Sequence, residues 1–185
     1  GESGGSLLGH AIHAHDLLCH ILGPVAEVTA LTDTRVNDIE TEDCAALAFR
    51  MGNGALVTSS VTLGAGDDTT RLRFCFEGLT AESGSAPYSP AQEAWRFIAR
   101  ASTSQSDVDR VLAGVAAPLA GFAGYLEAVA DALQGNGANV VTLADGRRSV
   151  ELVSAIYLSA RTGAPQALPL SMNSPIYCGW MPAAT

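Results

Sequence analysis

The chain has 185 residues, 48% hydrophobic and 16% charged, with a net charge of −9, a composition that suits one soluble globular domain and not a disordered segment. All ten basic residues are arginine and none belongs to a basic run, which argues against nucleic acid and anionic membranes as partners and excludes Schiff-base or general-acid lysine chemistry from this chain. Cys19, Cys44, Cys75 and Cys178 sit among apolar neighbours at spacings that match neither a zinc site nor a disulfide framework.

Residues 1–6, GESGGS, are expected to form a flexible lead-in. Leu7–Leu22 predicts a buried helix whose stripe is Leu8, Ile12, Leu18, Ile21 and Leu22, ended by Gly23-Pro24. Val25–Val36 alternates with β-branched residues and predicts a strand. Cys44–Met51 and Ala55–Leu63 are expected as two more, joined through Gly52-Asn53-Gly54, a hairpin signal. Arg71–Glu77, RLRFCFE, predicts a fourth, with Leu72, Phe74 and Phe76 on one face and Arg71, Arg73 and Glu77 on the other.

Residues 83–89 read as a loop, Pro90 as the start of a helix through AQEAWRFIARA, and Ser102–Ser106 as a polar connector. A further helix runs from Leu119 or Phe122 to Leu133, with Phe122, Leu126, Val129 and Leu133 as its stripe. Asp145 opens the last one, its carboxylate accepting from first-turn N–H groups, with Val150, Val153, Ile156 and Tyr157 toward the core. The order predicts an α+β domain: an open, largely antiparallel sheet with helices on one face. Ala46, Ala48, Val57 and Val61 are expected on the uncovered face, which predicts a homodimer or larger assembly.

No apolar run approaches the roughly 18 residues of a membrane helix, and the first residues carry no basic segment of a signal peptide. A cytoplasmic protein is expected. The first residue is Gly, not Met, which leads us to expect that the chain starts inside a longer protein. There is no GxGxxG after a first strand, no P-loop and no GxSxG.

Chemistry concentrates in GGSLLGHAIHAHDLLCH. Spacings of 3, 3 and 4 bring His10, His13, Asp16 and His20 onto one helix face, while His15 points elsewhere. Imidazole can pass a proton near neutral pH. His13 and His10 are therefore candidate catalytic or substrate-contacting groups. His15 and His20 read as surface or interface residues, and Asp16 either joins the site or pairs locally. His10, His13 and His20 could alternatively serve a metal-dependent lyase or isomerase, although no HExxH accompanies them.

GGSLLGHAIHAHD resembles the GG-x-L-x-D-x-G-x-H-x-x-D helix that opens the C-terminal domain of Gfo/Idh/MocA oxidoreductases. EDCAALAFRMGNGALVTSSVT is similar to that family's ED hairpin. ADGRRSVELVSAIYLSARTGAPQALPL is similar to its DG…A-x-x-x-S-x-x-x-G ending, and IYCGW resembles its tail. The resemblance implies an open antiparallel sheet whose free face joins subunits. It also implies hydride transfer between NAD or NADP and a sugar, polyol or related carbonyl compound. His13 falls on the family's catalytic histidine and Asp16 on the aspartate that follows. Gly9 stands where the family carries an acidic, often catalytic, residue, and His10 could replace its function.

The family's lysine and its Rossmann domain belong to another segment. Residues 1–185 thus read as a single C-terminal substrate-binding and oligomerisation domain, half of such an enzyme and inactive by itself. Arg71, Arg73, Asn37 and Tyr88 are candidate contacts for a hydroxyl-rich substrate. The Gly9 departure also leaves room for a non-catalytic dimerisation or ligand-binding module on the same fold.

Overall fold

The computed structural model describes residues 5–90, 93–116, 119, 121–137, 140–177 and 179–180. In chain order the elements are a π-helical turn Leu7–Ala11, α1 Ile12–Leu22, β1 Val25–Asp33, β2 Cys44–Met51, β3 Leu56–Thr62, β4 Arg73–Cys75, β5 Leu79–Glu82, β6 Arg96–Ala99, α2 Gln105–Ala113, α3 Gly121–Leu133, α4 Leu143–Thr162 and β7 Gln166–Ala167. The chain divides into two compact units, Gly1–Asp68 with Gly146–Thr185, and Thr69–Asp145. The first contains the sheet β3-β2-β1-β7 and the second the sheet β4-β5-β6, and every pairing is antiparallel. The fold is α+β, as the sequence predicts.

In the first unit β2 alternates strictly. Ala45, Leu47, Phe49 and Met51 are buried, while Ala46, Ala48 and Arg50 are exposed. A bulge between Val25 and Glu27 shifts the β1 register, so Val25 and Val28 both face inward despite their odd spacing. The helical residues of this core are Leu152, Val153, Ala155, Ile156 and Leu158 of α4, with Leu7, Ala11 and Leu18 of the first helical segment. Burying each large apolar side chain contributes roughly 1.5–3 kcal/mol.

Ser159 finishes the β1 edge where β7 stops. Its hydroxyl accepts from Ala30 N–H at 3.0 Å and donates to the Ala164 carbonyl at 2.9 Å. Four residues on, Gly163 at φ 65 ends α4 and donates its N–H to the Ser159 carbonyl. The Ser-x-x-x-Gly ending is thus a joint between helix and sheet.

Several expectations change. β1 ends at Asp33 because the Asp43 carboxylate takes the N–H groups of Arg35, Val36 and Asn37 at 2.7–2.8 Å and folds the chain into a turn. Val57 and Val61 pair with Phe49 and Ala45 and share their covered face. Of the four residues expected outside, only Ala46 and Ala48 are exposed.

The expected fourth strand of one meander is β4 of the separate three-stranded sheet. Of the helix expected after Pro90, residues 91 and 92 lie outside the described residues and Arg96–Ala99 is instead β6, because Trp95-Arg96-Phe97-Ile98 has period two. Phe97 pairs opposite Ala81 and Arg96 opposite Glu82, and the Trp95 ring stacks on Phe74 at 5.9 Å. The polar connector contains a helix start, since the Ser104 hydroxyl caps α2 by accepting from Asp107 N–H. Asp145 stands three residues after Thr142, accepts from its N–H and hydroxyl and donates its own N–H back to the Thr142 hydroxyl, the reciprocal arrangement of a capping box. Val150 is exposed.

Candidate functional site

The histidine helix is placed by one carboxylate. Glu42 accepts from Leu7 N–H at 2.9 Å and from the Tyr157 hydroxyl at 3.1 Å, both on Oε1, and its backbone carbonyl accepts from Ser6 N–H at 2.9 Å. Burial first, and the Glu42 charge beside it second, raise the Tyr157 hydroxyl above its ordinary pKa, so it remains a proton donor. Gly5 is not a flexible lead-in residue: a Cβ there would meet the Glu42 carbonyl oxygen at 2.2 Å, so only glycine fits. Residues 1–4 of that expected lead-in lie outside the described residues. At the far end Asn53 Nδ2 donates to the Leu22 carbonyl at 3.1 Å and holds the helix to the β2–β3 hairpin.

Between these anchors the sequence sets the orientation. Leu7, Ala11, His15 and Leu18 step by four, four and three and are all buried. His10, His13, Asp16 and His20 are exposed, as the helix wheel predicts. His15, expected at a surface or interface, is instead a core residue, 4% exposed. Its Nε2 lies 3.0 Å from Ser59 Oγ, its ring meets Phe49 edge-on at 5.2 Å, and its Nδ1 has no partner among the described residues. Burial pushes its pKa down to about 4, so it sits in the core as neutral imidazole.

Asp16 accepts from Ser149 Oγ of α4 at 2.6 Å, which ties the exposed face to the long helix. Burial and then the Asp16 charge raise the Cys19 thiol above its ordinary pKa, so it is not an activated nucleophile. Gly9 lies in the π-helical turn with open space around it, since a Cβ there meets nothing within 4 Å. The arrangement offers an exposed imidazole, His13, with a carboxylate one turn later, suited to moving a proton at a bound hydroxyl. Among the described residues no three of His, Cys, Asp and Glu gather into a metal-holding group, so His10, His13 and His20 do not converge as a metal centre requires.

The remaining candidates lie away from α1 in sequence and fall in different units. Asn37 Nδ2 donates to Asp43 at 3.1 Å and belongs to the first unit's turn. Arg73 pairs with Glu82 at 2.9 Å in the second unit. Tyr88 is exposed, at φ 60. Sequence reasoning missed Glu42 and Asp43 as placing groups, since the backbone N–H groups that they collect are set by the fold. Cys178 lies outside the described residues.

The sequence profile of the Gfo/Idh/MocA oxidoreductase family's C-terminal alpha/beta domain matches residues 1–168. Curated proteins gave no match. Among solved structures, the chain resembles the WlbA dehydrogenase from Bordetella pertussis in complex with NADH and UDP-GlcNAcA at 29% identity and TM-score 0.72, covering 91% of this chain and 48% of that one. The WlbA enzyme from Chromobacterium violaceum, with the same ligands, aligns at 26% identity and TM-score 0.71 over 91% of this chain and 47% of that one. Aldose-aldose oxidoreductase from Caulobacter crescentus shares the fold at 19% identity and TM-score 0.69, over 89% of this chain and 48% of that one. The chain thus spans about half the length of the structures it matches. Among the described residues no helix is long and apolar enough to cross a membrane.

Proposed function

The chain belongs to the Gfo/Idh/MocA oxidoreductase family as its C-terminal alpha/beta domain, and on that premise we propose that it is the substrate-binding and oligomerisation half of a cytoplasmic, NAD- or NADP-dependent dehydrogenase acting on a sugar, polyol or related carbonyl compound. The observation that carries this reading is the division of labour along α1. His15 is buried while His13, two residues earlier, is exposed one turn before Asp16. His13 would stand beside the reacting hydroxyl and hold or release its proton. Asp16, already accepting from Ser149, would fix the exposed face against α4. A sugar carrying a nucleotide diphosphate is included in the substrate class, because the WlbA structures hold UDP-GlcNAcA with NADH.

The described residues do not fit a dinucleotide. Pyrophosphate is cradled by a glycine-rich turn between a strand and a helix in a parallel sheet, whereas the strands here pair antiparallel and the Gly52–Gly54 turn joins strand to strand. The cofactor would be held by a segment outside this chain. The test is the full-length protein carrying His13→Ala, assayed for nicotinamide reduction with candidate sugars. Loss of turnover is the expected result, and unchanged turnover would sink the catalytic assignment.

One observation favours a second reading, a non-catalytic module of the same fold. Gly9 removes the family's acidic group although the space around it is open, so packing does not exclude a carboxylate there. Retained dimerisation with no detectable turnover of any sugar would favour that reading.

A further inference from the structure

We infer that Arg71, Arg73 and Arg96 form an anion-binding site on the three-stranded sheet, suited to the phosphate groups of a ligand. The sheet register builds it. Arg73 pairs opposite Glu82 on β5, and Glu82 opposite Arg96 on β6, so the three side chains occupy one cross-strand row on one face. Arg71 lies two residues before Arg73, just ahead of β4, where Leu72 bonds Ser83 through both its N–H and its carbonyl and so carries the pairing with the β5 side one step further. Its charge acts on Glu82 together with those of Arg73 and Arg96. The opposite face is the apolar one, where Phe74 and Ala81 are buried and Trp95 and Phe76 stack on Phe74.

Charge balance separates this row from an ordinary surface pair. Glu82 is 7% exposed and bridges Arg73 and Arg96. One carboxylate therefore neutralises one of three guanidinium groups. Both bridging arginines remain mostly exposed, and Arg71 makes no ion pair within 4 Å among the described residues. A chain with a net charge of −9 and only ten cations thus concentrates three of them around one buried acid. Glu82 fixes two guanidinium planes from below, which lowers the entropy lost when an anion docks on their outer edges.

The adjoining loop adds an aromatic. Tyr88 adopts φ 60, a conformation costly for a non-glycine residue. Its N–H donates to the hydroxyl of Thr70, the neighbour of Arg71, and its ring is exposed. An exposed ring on a loop anchored to Thr70, the sequence neighbour of Arg71, suits a phosphate with an attached sugar or base. This site does not depend on the catalytic reading of α1, and its test measures binding, not turnover.

The test is calorimetric titration of the chain with inorganic pyrophosphate and, separately, with UDP, for wild type, Arg71→Gln and Arg71→Lys. Arg71 is chosen because it holds no bridge to Glu82, so its loss leaves the row folded. Binding weakened about tenfold in Arg71→Gln, the effect of removing one charge-assisted hydrogen bond, with a smaller loss in Arg71→Lys, supports the site. Tighter binding of UDP than of pyrophosphate would assign it to a nucleotide-linked ligand, and equal binding to the diphosphate alone. Absence of binding by either probe, or an unchanged affinity in Arg71→Gln, overturns the inference. Should Arg71→Gln lose its fold by circular dichroism, wild-type affinity decides: it must fall as salt rises, and salt-independent binding also overturns the inference.

Discussion

His15 Nε2 lies 3.0 Å from Ser59 Oγ, so α1 is joined to β3 through a buried imidazole. Its pKa, pushed down to about 4 by burial, makes the native state bind fewer protons than the unfolded chain between that value and the ordinary histidine pKa. Stability is therefore complete above about pH 6.5 and falls as pH drops from there toward 4, by roughly 3 kcal/mol in total. Urea unfolding midpoints measured across this range should show the fall, and His15→Gln should flatten it.

Glu42 joins the start of the histidine helix to α4 through Leu7 N–H and the Tyr157 hydroxyl. Tyr157→Phe should cost about 1 kcal/mol, the net value of one hydrogen bond. Gly5→Ala should cost about 1–3 kcal/mol, because its Cβ would overlap the Glu42 carbonyl. Thermal denaturation of both variants checks the order.

The open space at Gly9 predicts that Gly9→Asp folds normally. If His10 replaces the family's acidic group, His10→Ala lowers turnover in the wild-type background and matters little when combined with Gly9→Asp. A double-mutant cycle of kcat values measures this coupling.

The outer face of the four-stranded sheet exposes Leu31 by 71% and Leu56 by 73%, beside Thr29, Ala46, Ala48 and Thr58. We propose this face as the subunit contact. Leu31→Arg together with Leu56→Arg should convert a dimer to a monomer by light scattering at micromolar concentration. A wild type that is monomeric there would refute the assembly.

The fold class and the exposed face of α1 are legible in the sequence because both rest on simple periods: two along β2 and 3.6 along the helix. His15 misleads because imidazole counts as polar in a wheel, whereas its spacing from Ala11 and Leu18 places it in the core stripe. β6 misleads because Pro90 suggests a helix start, while pairing with β5 and the stacking of Trp95 on Phe74 decide the outcome. The placing roles of Glu42 and Asp43 are hidden because a carboxylate that collects backbone N–H groups from residues up to 35 positions away leaves no local pattern. Ser159 stands inside the most specific motif, but its bond to Ala30, 129 positions away, exists only in three dimensions.

Nicotinamide reduction by the full-length protein, wild type against His13→Ala with His20→Ala as a control on the same helix face, measures whether His13 handles the proton of the reacting hydroxyl. In His13→Ala kcat should fall at least about a hundredfold, the usual contribution of a general acid–base group, and in His20→Ala it should stay within a factor of about two. Equal turnover in wild type and His13→Ala, or no turnover by wild type on any sugar, polyol or nucleotide-linked sugar, would contradict the proposed function.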